Sequence, residues 1–242
     1  MLDVRRLVKR LLTPCRQYHG RLTVADRHLR GDGLEIGALQ DPLPLPRGAR
    51  ARYVDLATTE ALRRMYPRKA RRHLVPVDVV DDGERLASVA DQSQDFVVAN
   101  HFLEHCEDPV GTLRNLLRVV RPGGVVYLSV PDMRHTFDRD RQPTSVEHVL
   151  RDHEQGPAGS RQQHYEDVVR HAMKVEGEAA VAAAVQDLVA RDFRIHFHCW
   201  SQAEFLSLLA ELQRRHGFPS FDVAEFAANE REMVVVLRRL AA

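Results

Sequence analysis

The chain has 242 residues, of which 44% are hydrophobic and 29% charged, and its net charge is +1 at neutral pH. That length suits one large α/β domain or two small ones with an ordinary globular balance, and a charge so near zero supplies no field to draw the protein onto nucleic acid or anionic lipid. Three scattered cysteines, Cys15, Cys106 and Cys199, form neither a CxxC pair nor a disulfide framework, which fits a reducing, cytoplasmic setting.

Residues 1–30 read as an N-terminal helical segment, because MLDVRRLVKRLL alternates Arg and Lys with Leu and Val at helical spacing. The stretch lacks the apolar core and cleavage site of a signal peptide, and no run is long enough to span a bilayer, so no membrane partner is expected. A first short strand covers residues 33–37 and ends at Gly37. Three prolines in five positions, Pro42, Pro44 and Pro46, forbid a regular helix after it, and an extended loop is expected instead. Residues 51–56 are the second strand, and Thr58 or Thr59 caps a helix through Arg64. The third strand is expected at 73–77, followed by Asp78 and Val79, with a short helix at 84–90.

Residues 95–99 form an unbroken apolar strand, as a doubly covered central strand should read. Asp108 and Pro109 open a helix with Leu113, Leu116, Leu117 and Val120 on one face, and residues 125–130 are the fifth strand. The βα rhythm then breaks for a polar, His-rich, mostly helical insert, residues 133–197. Ser201 and Glu204 form a capping box for a helix through Arg215, and residues 220–226 and 233–238 read as a closing antiparallel hairpin around Asn229 and Glu230.

In open α/β sheets, ligands bind past the carboxyl ends of the strands. Gly37 lies at one such end, where a missing Cβ lets a ligand approach the backbone. Asp55 follows by about 20 residues at the next, where a nucleotide-binding sheet places the carboxylate that accepts both ribose hydroxyls. With LEIG at 34–37 and Asp55, two longer segments, DFVVANHFLEHCEDP at 95–109 and LRVVRPGGVVYLSVPD at 117–132, resemble class I S-adenosylmethionine (SAM)-dependent methyltransferases.

The resemblance covers residues 32–132 and 198–238. It implies a Rossmann-like, seven-stranded, mostly parallel α/β sheet with an antiparallel final strand, flanked by helices. Residues 31–132 and 198–242 would form the SAM-binding domain, and 133–197 a helical cap over the acceptor. The resemblance also implies SAM as cofactor, with Glu35, Gly37 and Ala38 at its amino acid part and Asp55 and Leu56 at the ribose. Asp78 and Val79 would lie at the adenine, and Asn100, His101 and His105 past strand four. Leu39 stands where the family usually has a second glycine, and the proline loop replaces its helix start.

Residues 131–138 and 198–201 are similar to segments of carbohydrate-modifying members, so the leading acceptor is a saccharide hydroxyl. Such a hydroxyl is weakly acidic and wants a general base, and histidine titrates nearest neutrality. His135 lies past strand five, and His196 and His198 lie before the next helix, all expected at the rim where the acceptor enters. His135, His198 and His153 are the foremost candidates for the base. Asp132 and Asp138 would orient it or hold a divalent ion such as Mg²⁺. Open alternatives are a small natural-product acceptor and a non-catalytic SAM-binding partner protein. A homodimer is a further expectation, and nucleic acid is not an expected partner.

Overall fold

A computed structural model describes residues 16–241, so residues 1–15 of the expected N-terminal helical segment lie outside the described residues. Helix α1 spans Arg16–His28. The strands are β1 (Gly31–Ile36), β2 (Ala49–Asp55), β3 (Val79–Val80), β4 (Gln94–Asn100), β5 (Val120–Pro131), β6 (Phe221–Asn229) and β7 (Glu232–Arg239). They form one sheet in the order β3-β2-β1-β4-β5-β7-β6. β1 to β5 pair in parallel, and β7 runs antiparallel between β5 and β6. The sheet is therefore the expected seven-stranded one. The chain reverses its winding between β1 and β4, and the carboxyl ends of those strands open the crevice where this architecture binds ligands.

Strand alternation divides the interior into two cores. Leu34 and Ile36, Val97 and Ala99, and Val126, Leu128 and Val130 face one side. Helices α3 (Pro109–Val119) and α7 (Gln202–Arg214) cover that side with Val110, Leu113, Leu117, Phe205, Leu208 and Leu212. Phe96, Val98, Val125, Tyr127, Val234 and Val236 face the other side, against Val24 and Ala25 of α1 and Leu29 just after it. Leu43 and Leu45 of the proline loop join that second core, so extended chain covers sheet that a helix usually covers.

Side-chain caps set the starts of α2 (Thr59–Met65), α3 and α7. The Thr58 hydroxyl accepts from Ala61 N–H ahead of α2. Asp108 Oδ1 accepts from Gly111 N–H at 2.8 Å, with Pro109 in the first turn of α3. Ser201 and Glu204 form the expected capping box of α7.

Two expectations need correction. The third strand is not at 73–77 but is the two-residue β3, placed when Asp78 Oδ2 accepts from Tyr53 N–H at 2.8 Å. Residues 84–90 are turns rather than a helix, because Leu86 adopts a positive φ of 48° and Asp81 Oδ2 accepts from Ser88 N–H at 2.8 Å.

The insert folds into α4 (Val146–Gln155), α5 (Arg161–Asp167) with a π-helical turn after it, and α6 (Glu178–Ala190). Tyr165, Val169, Val181, Val185, Leu188 and Phe197 give it a core of its own. It leaves and rejoins the sheet at one spot, where Asp132 bridges to Trp200 and Met133 N–H donates to the Trp200 carbonyl at 3.0 Å. No helix among the described residues is long and apolar enough to cross a membrane.

Candidate active site

The carboxyl ends of β1 and β2 make the first wall of the crevice. Gly37 has φ of 64°, and a Cβ built there would meet nothing within 4 Å, so the backbone is open to a ligand. Asp55 is half-buried, and its Oδ1 accepts from Leu56 N–H at 2.8 Å. Burial raises the Asp55 carboxyl above its usual range, against the opposing pull of the Leu56 amide and Lys69. Leu56 is 57% exposed and Val80, the β3 partner of Asp55, is 53% exposed. Two bare aliphatic side chains beside a carboxylate suit a nucleoside, whose base is apolar on its faces and whose ribose donates hydroxyls.

The second wall lies past β4. Asn100 Oδ1 and Ser129 Oγ, on residues paired in the β4–β5 register, are buried with no hydrogen-bond partner within the protein. Leaving such an atom unpaired costs about 1–3 kcal/mol, which marks the spot as one for a ligand's polar groups. His101 follows with φ of 48°, a strained value for a non-glycine residue of the kind that gathers at functional sites. Its Nε2 lies 2.7 Å from Glu232 Oε2. Arg21 Nε donates to Glu232 Oε1 at 2.6 Å, as does Asn229 Nδ2 at 2.7 Å. Burial alone would raise the Glu232 carboxyl, but the Arg21 and His101 hydrogen bonds outweigh it and hold it down at about 2.

Above this wall, Glu104, His105 and His196 bring one polar atom each within 4.8 Å of one another. Glu104 is buried and neither oxygen accepts a hydrogen bond, although His101 Nδ1 lies 3.5 Å from Oε1. Burial pushes the Glu104 carboxyl up to about 7, tempered by His196. Burial, and then His196, pulls His105 down to about 4, so its ring is neutral and its Nδ1–H donates to the Ile195 carbonyl at 2.8 Å. His196 Nδ1 lies 2.7 Å from Asp138 Oδ2, and Asp138 Oδ1 accepts from Arg141 Nη1 at 2.7 Å. Burial works to raise Asp138, yet the His196 and Arg141 hydrogen bonds hold it below the usual carboxylate range. With Nδ1 bound to a carboxylate, His196 keeps Nε2 for another group. The Phe137 ring, 57% exposed, lies 4.6 Å from the His196 ring.

Gly37, Ala38, Asp55, Leu56, Asn100 and His101 thus follow adjoining strand ends. Glu35 is buried beneath them, where its Oε1 accepts from Leu43 N–H at 2.8 Å and anchors the proline loop. Asp78 does not join them: it lines a groove with Asp32, Arg50 and Gln94 at the opposite, amino end of the sheet. Val79 packs into the main core, leaving Val80 as the exposed β3 side chain.

His135, His153 and His198 are not brought together at one rim. His135 is exposed beside the final hairpin, where its carbonyl accepts from Arg231 Nε at 2.9 Å. His153 Nδ1 lies 2.9 Å from Asp108 Oδ2 and braces the start of α3. His198 is fully buried and stacked on Trp200, with ring centroids 5.5 Å apart, instead of facing the entrance. Nor do Asp132 and Asp138 share a site: Arg134 holds the first and Arg141 the second. His196 gains importance only once both ends of the insert meet. The available signal was that FDRD and RIHFH border the insert on either side.

The strand order defines a Rossmann-like fold of the methyltransferase type. Residues 31–128 match the family described as a methyltransferase domain. Over that span the chain is similar to a methyltransferase domain, in agreement with the strand order, and SAM is the cofactor that this family implies.

Similar solved structures include a chain of the complex between the Trm112 methyltransferase activator and a putative methyltransferase of Haloferax volcanii. The identity is 13%, covering 99% of this chain and 95% of that one, with a TM-score of 0.52. A putative methyltransferase of Bacillus halodurans is 11% identical over 93% of this chain and 99% of that one, with a TM-score of 0.51. A structure described as putative zinc-dependent alcohol dehydrogenases of Rhodobacter sphaeroides is 13% identical over 92% and 88%, with a TM-score of 0.52. At these identities the likeness is one of fold. No curated protein matches the chain in sequence.

The residues present fit SAM: an open glycine turn, a carboxylate between bare aliphatic side chains, and unpaired polar atoms at the next strand ends. Asp55→Ala is accordingly expected to weaken binding of S-adenosylhomocysteine (SAH) by about 1.5–3 kcal/mol, the worth of hydrogen bonds to a charged group. Calorimetry reads the loss, and an unchanged dissociation constant would remove Asp55 from the site.

Proposed function

We propose that the protein is an O-methyltransferase for a saccharide hydroxyl, with His196 as its general base. The observation that carries this reading is the His196–Asp138–Arg141 chain beside Glu104, with one imidazole nitrogen held at 2.7 Å by a buried carboxylate. A hydroxyl acceptor needs such a group, whereas a neutral amine attacks with its own lone pair. Phe137 offers an exposed aromatic face next to His196, suited to the apolar face of a sugar ring.

When bound, SAM supplies an activated methyl group. Gly37 and Ala38 would hold its amino acid part, Asp55 would accept hydrogen bonds from the ribose hydroxyls, and Leu56 and Val80 would flank the adenine. Asn100 and His101 line the reacting end, and Glu35 supports the loop from below. His196 Nε2 takes the acceptor's proton, while Asp138 fixes the ring and offsets the charge that develops on it. The cap, residues 133–197, covers the acceptor and excludes water. Glu104 is a second candidate base, because its carboxyl sits at about 7 with both oxygens free of hydrogen bonds.

The test is methyl transfer from SAM to paired acceptors, glycosides with free hydroxyls and amines of similar size, read by mass and by the position of the new methyl group. Methyl ethers on the sugar are expected. Transfer to amines alone, or SAM binding with no transfer to any glycoside, would overturn the proposal.

A further inference from the structure

A second histidine cluster lies in the cap, apart from the proposed base. His148 and Asp152 stand one turn apart on α4, His164 is on α5, and His198 is on the segment that returns to the sheet. His148, His164 and His198 bring one nitrogen each within 4.8 Å of one another. His148 Nε2 is 3.0 Å from His164 Nε2 and 3.0 Å from Asp152 Oδ2, and His164 Nε2 is 3.5 Å from that same oxygen. A tetrahedral zinc ion with bonds of about 2.0–2.1 Å sets its donor atoms about 3.3 Å apart. The three separations straddle that value.

His198 adds an independent sign. Its Nδ1 is buried and has no hydrogen-bond partner, while its Nε2 lies 3.3 Å from the Glu107 carbonyl. That carbonyl fixes the ring proton on Nε2 and leaves the Nδ1 lone pair free, as in histidines that bind metals through one nitrogen and donate from the other. Asp152 is also held, since Ser160 Oγ donates to its Oδ2 at 2.8 Å.

We infer that His148, His164 and His198, with Asp152 as the fourth donor, form a zinc-type divalent cation site in the cap. Imidazole nitrogens select zinc over magnesium, which prefers oxygen. Four protein donors and a fully buried His198 describe a closed, structural site rather than one that binds substrate.

The placement gives the ion a task. Next to His148, Val149 belongs to the main core, and next to His164, Tyr165 belongs to the core of the cap. His198 stacks on Trp200 at the point where the cap meets β5. One ion would therefore tie the two cores together at the base of the cap. Arg151 Nη2 lies 2.7 Å from His148 Nδ1; ligation by Nε2 puts a proton on Nδ1, so this exposed guanidinium turns away on binding.

The full chain, stripped with a chelator, should bind one equivalent of Zn²⁺ by calorimetry and unfold at a higher temperature with it. Co²⁺ should give the intense visible bands of a tetrahedral site and quench Trp200, the single tryptophan of the chain. His164→Ala should weaken Zn²⁺ by more than the roughly 10–100-fold that an outer hydrogen-bond partner is worth. His148→Gln, at a part-exposed position, carries the same comparison if His164→Ala alters the Trp200 emission of the metal-free fold. Binding well below one equivalent by the parent, or a Co²⁺ spectrum unchanged in the folded variant, would overturn the site. Neither readout depends on methyl transfer.

Discussion

Arg141→Met should destabilise the protein by about 3–5 kcal/mol, the usual cost of removing one partner from a buried ion pair. The Arg141 side chain is 1% exposed, yet each nitrogen of its guanidinium donates a hydrogen bond. It donates to Asp138 at 2.7 Å, to Asp167 at 2.6 Å, and to the carbonyls of His196 at 2.9 Å and Phe197 at 3.3 Å. Methionine fills much of the volume and satisfies none of these acceptors. Asp138 would then be a buried carboxylate left with the His196 ring and the Thr136 hydroxyl as its side-chain partners.

The pH dependence has a definite sign. The folded-state pKa of Asp138 is depressed, so its ionisation adds stability above the unfolded value of about 3.9 and loses it as pH falls through the lower folded value. Without Arg141 that depression shrinks or reverses. The gap between parent and variant should be full near pH 7 and should narrow as pH falls below about 4. Denaturant unfolding at several pH values reads it, and a gap below about 1 kcal/mol at pH 7 would show that the guanidinium does not hold this part of the cap.

His196→Ala should lower turnover by about 10²–10⁴, the range for loss of a positioned general base, while SAH affinity stays at the parent value. A base must be unprotonated to act, so the parent's rate should fall on the acid side, and that limb should vanish in the variant. Asp138→Asn tests the positioning role separately. It keeps the shape but withdraws the charge that steadies His196, and should cost less than removal of the ring. If His196→Ala stays within about threefold of the parent, the base lies elsewhere, and loss of the rate in Glu104→Gln would then identify the carboxyl at about 7.

Local patterns carried most of the fold. The unbroken apolar run of β4 and the Asp108-Pro109 start of α3 need no distant partner to be read. β3 escaped because two residues show no periodicity, and what places them is a side-chain hydrogen bond from β2. The turn at 84–90 escaped for a similar reason, since Asp81 holds it from seven positions away. In the candidate site, Gly37, Asp55, Asn100 and His101 could be picked out because strand ends can be read from sequence. The histidines could not be ranked. His196 and Asp138 are 58 positions apart, and nothing local tells His196, which meets that carboxylate, from His198, which stacks on Trp200 two residues on.

β7 is translated after every other strand, yet it is the one that slots between β5 and β6. While the nascent chain emerges, β5 stays an open edge and β6 has no neighbour, a pair of adhesive surfaces that a chaperone would have to shield. The first residue of β7 is Glu232, which grips His101 beside the crevice and Arg21 of α1. Thus helix α1, the middle of the chain and the last strand are latched by one carboxylate, and His101 waits for its partner until synthesis has passed residue 232.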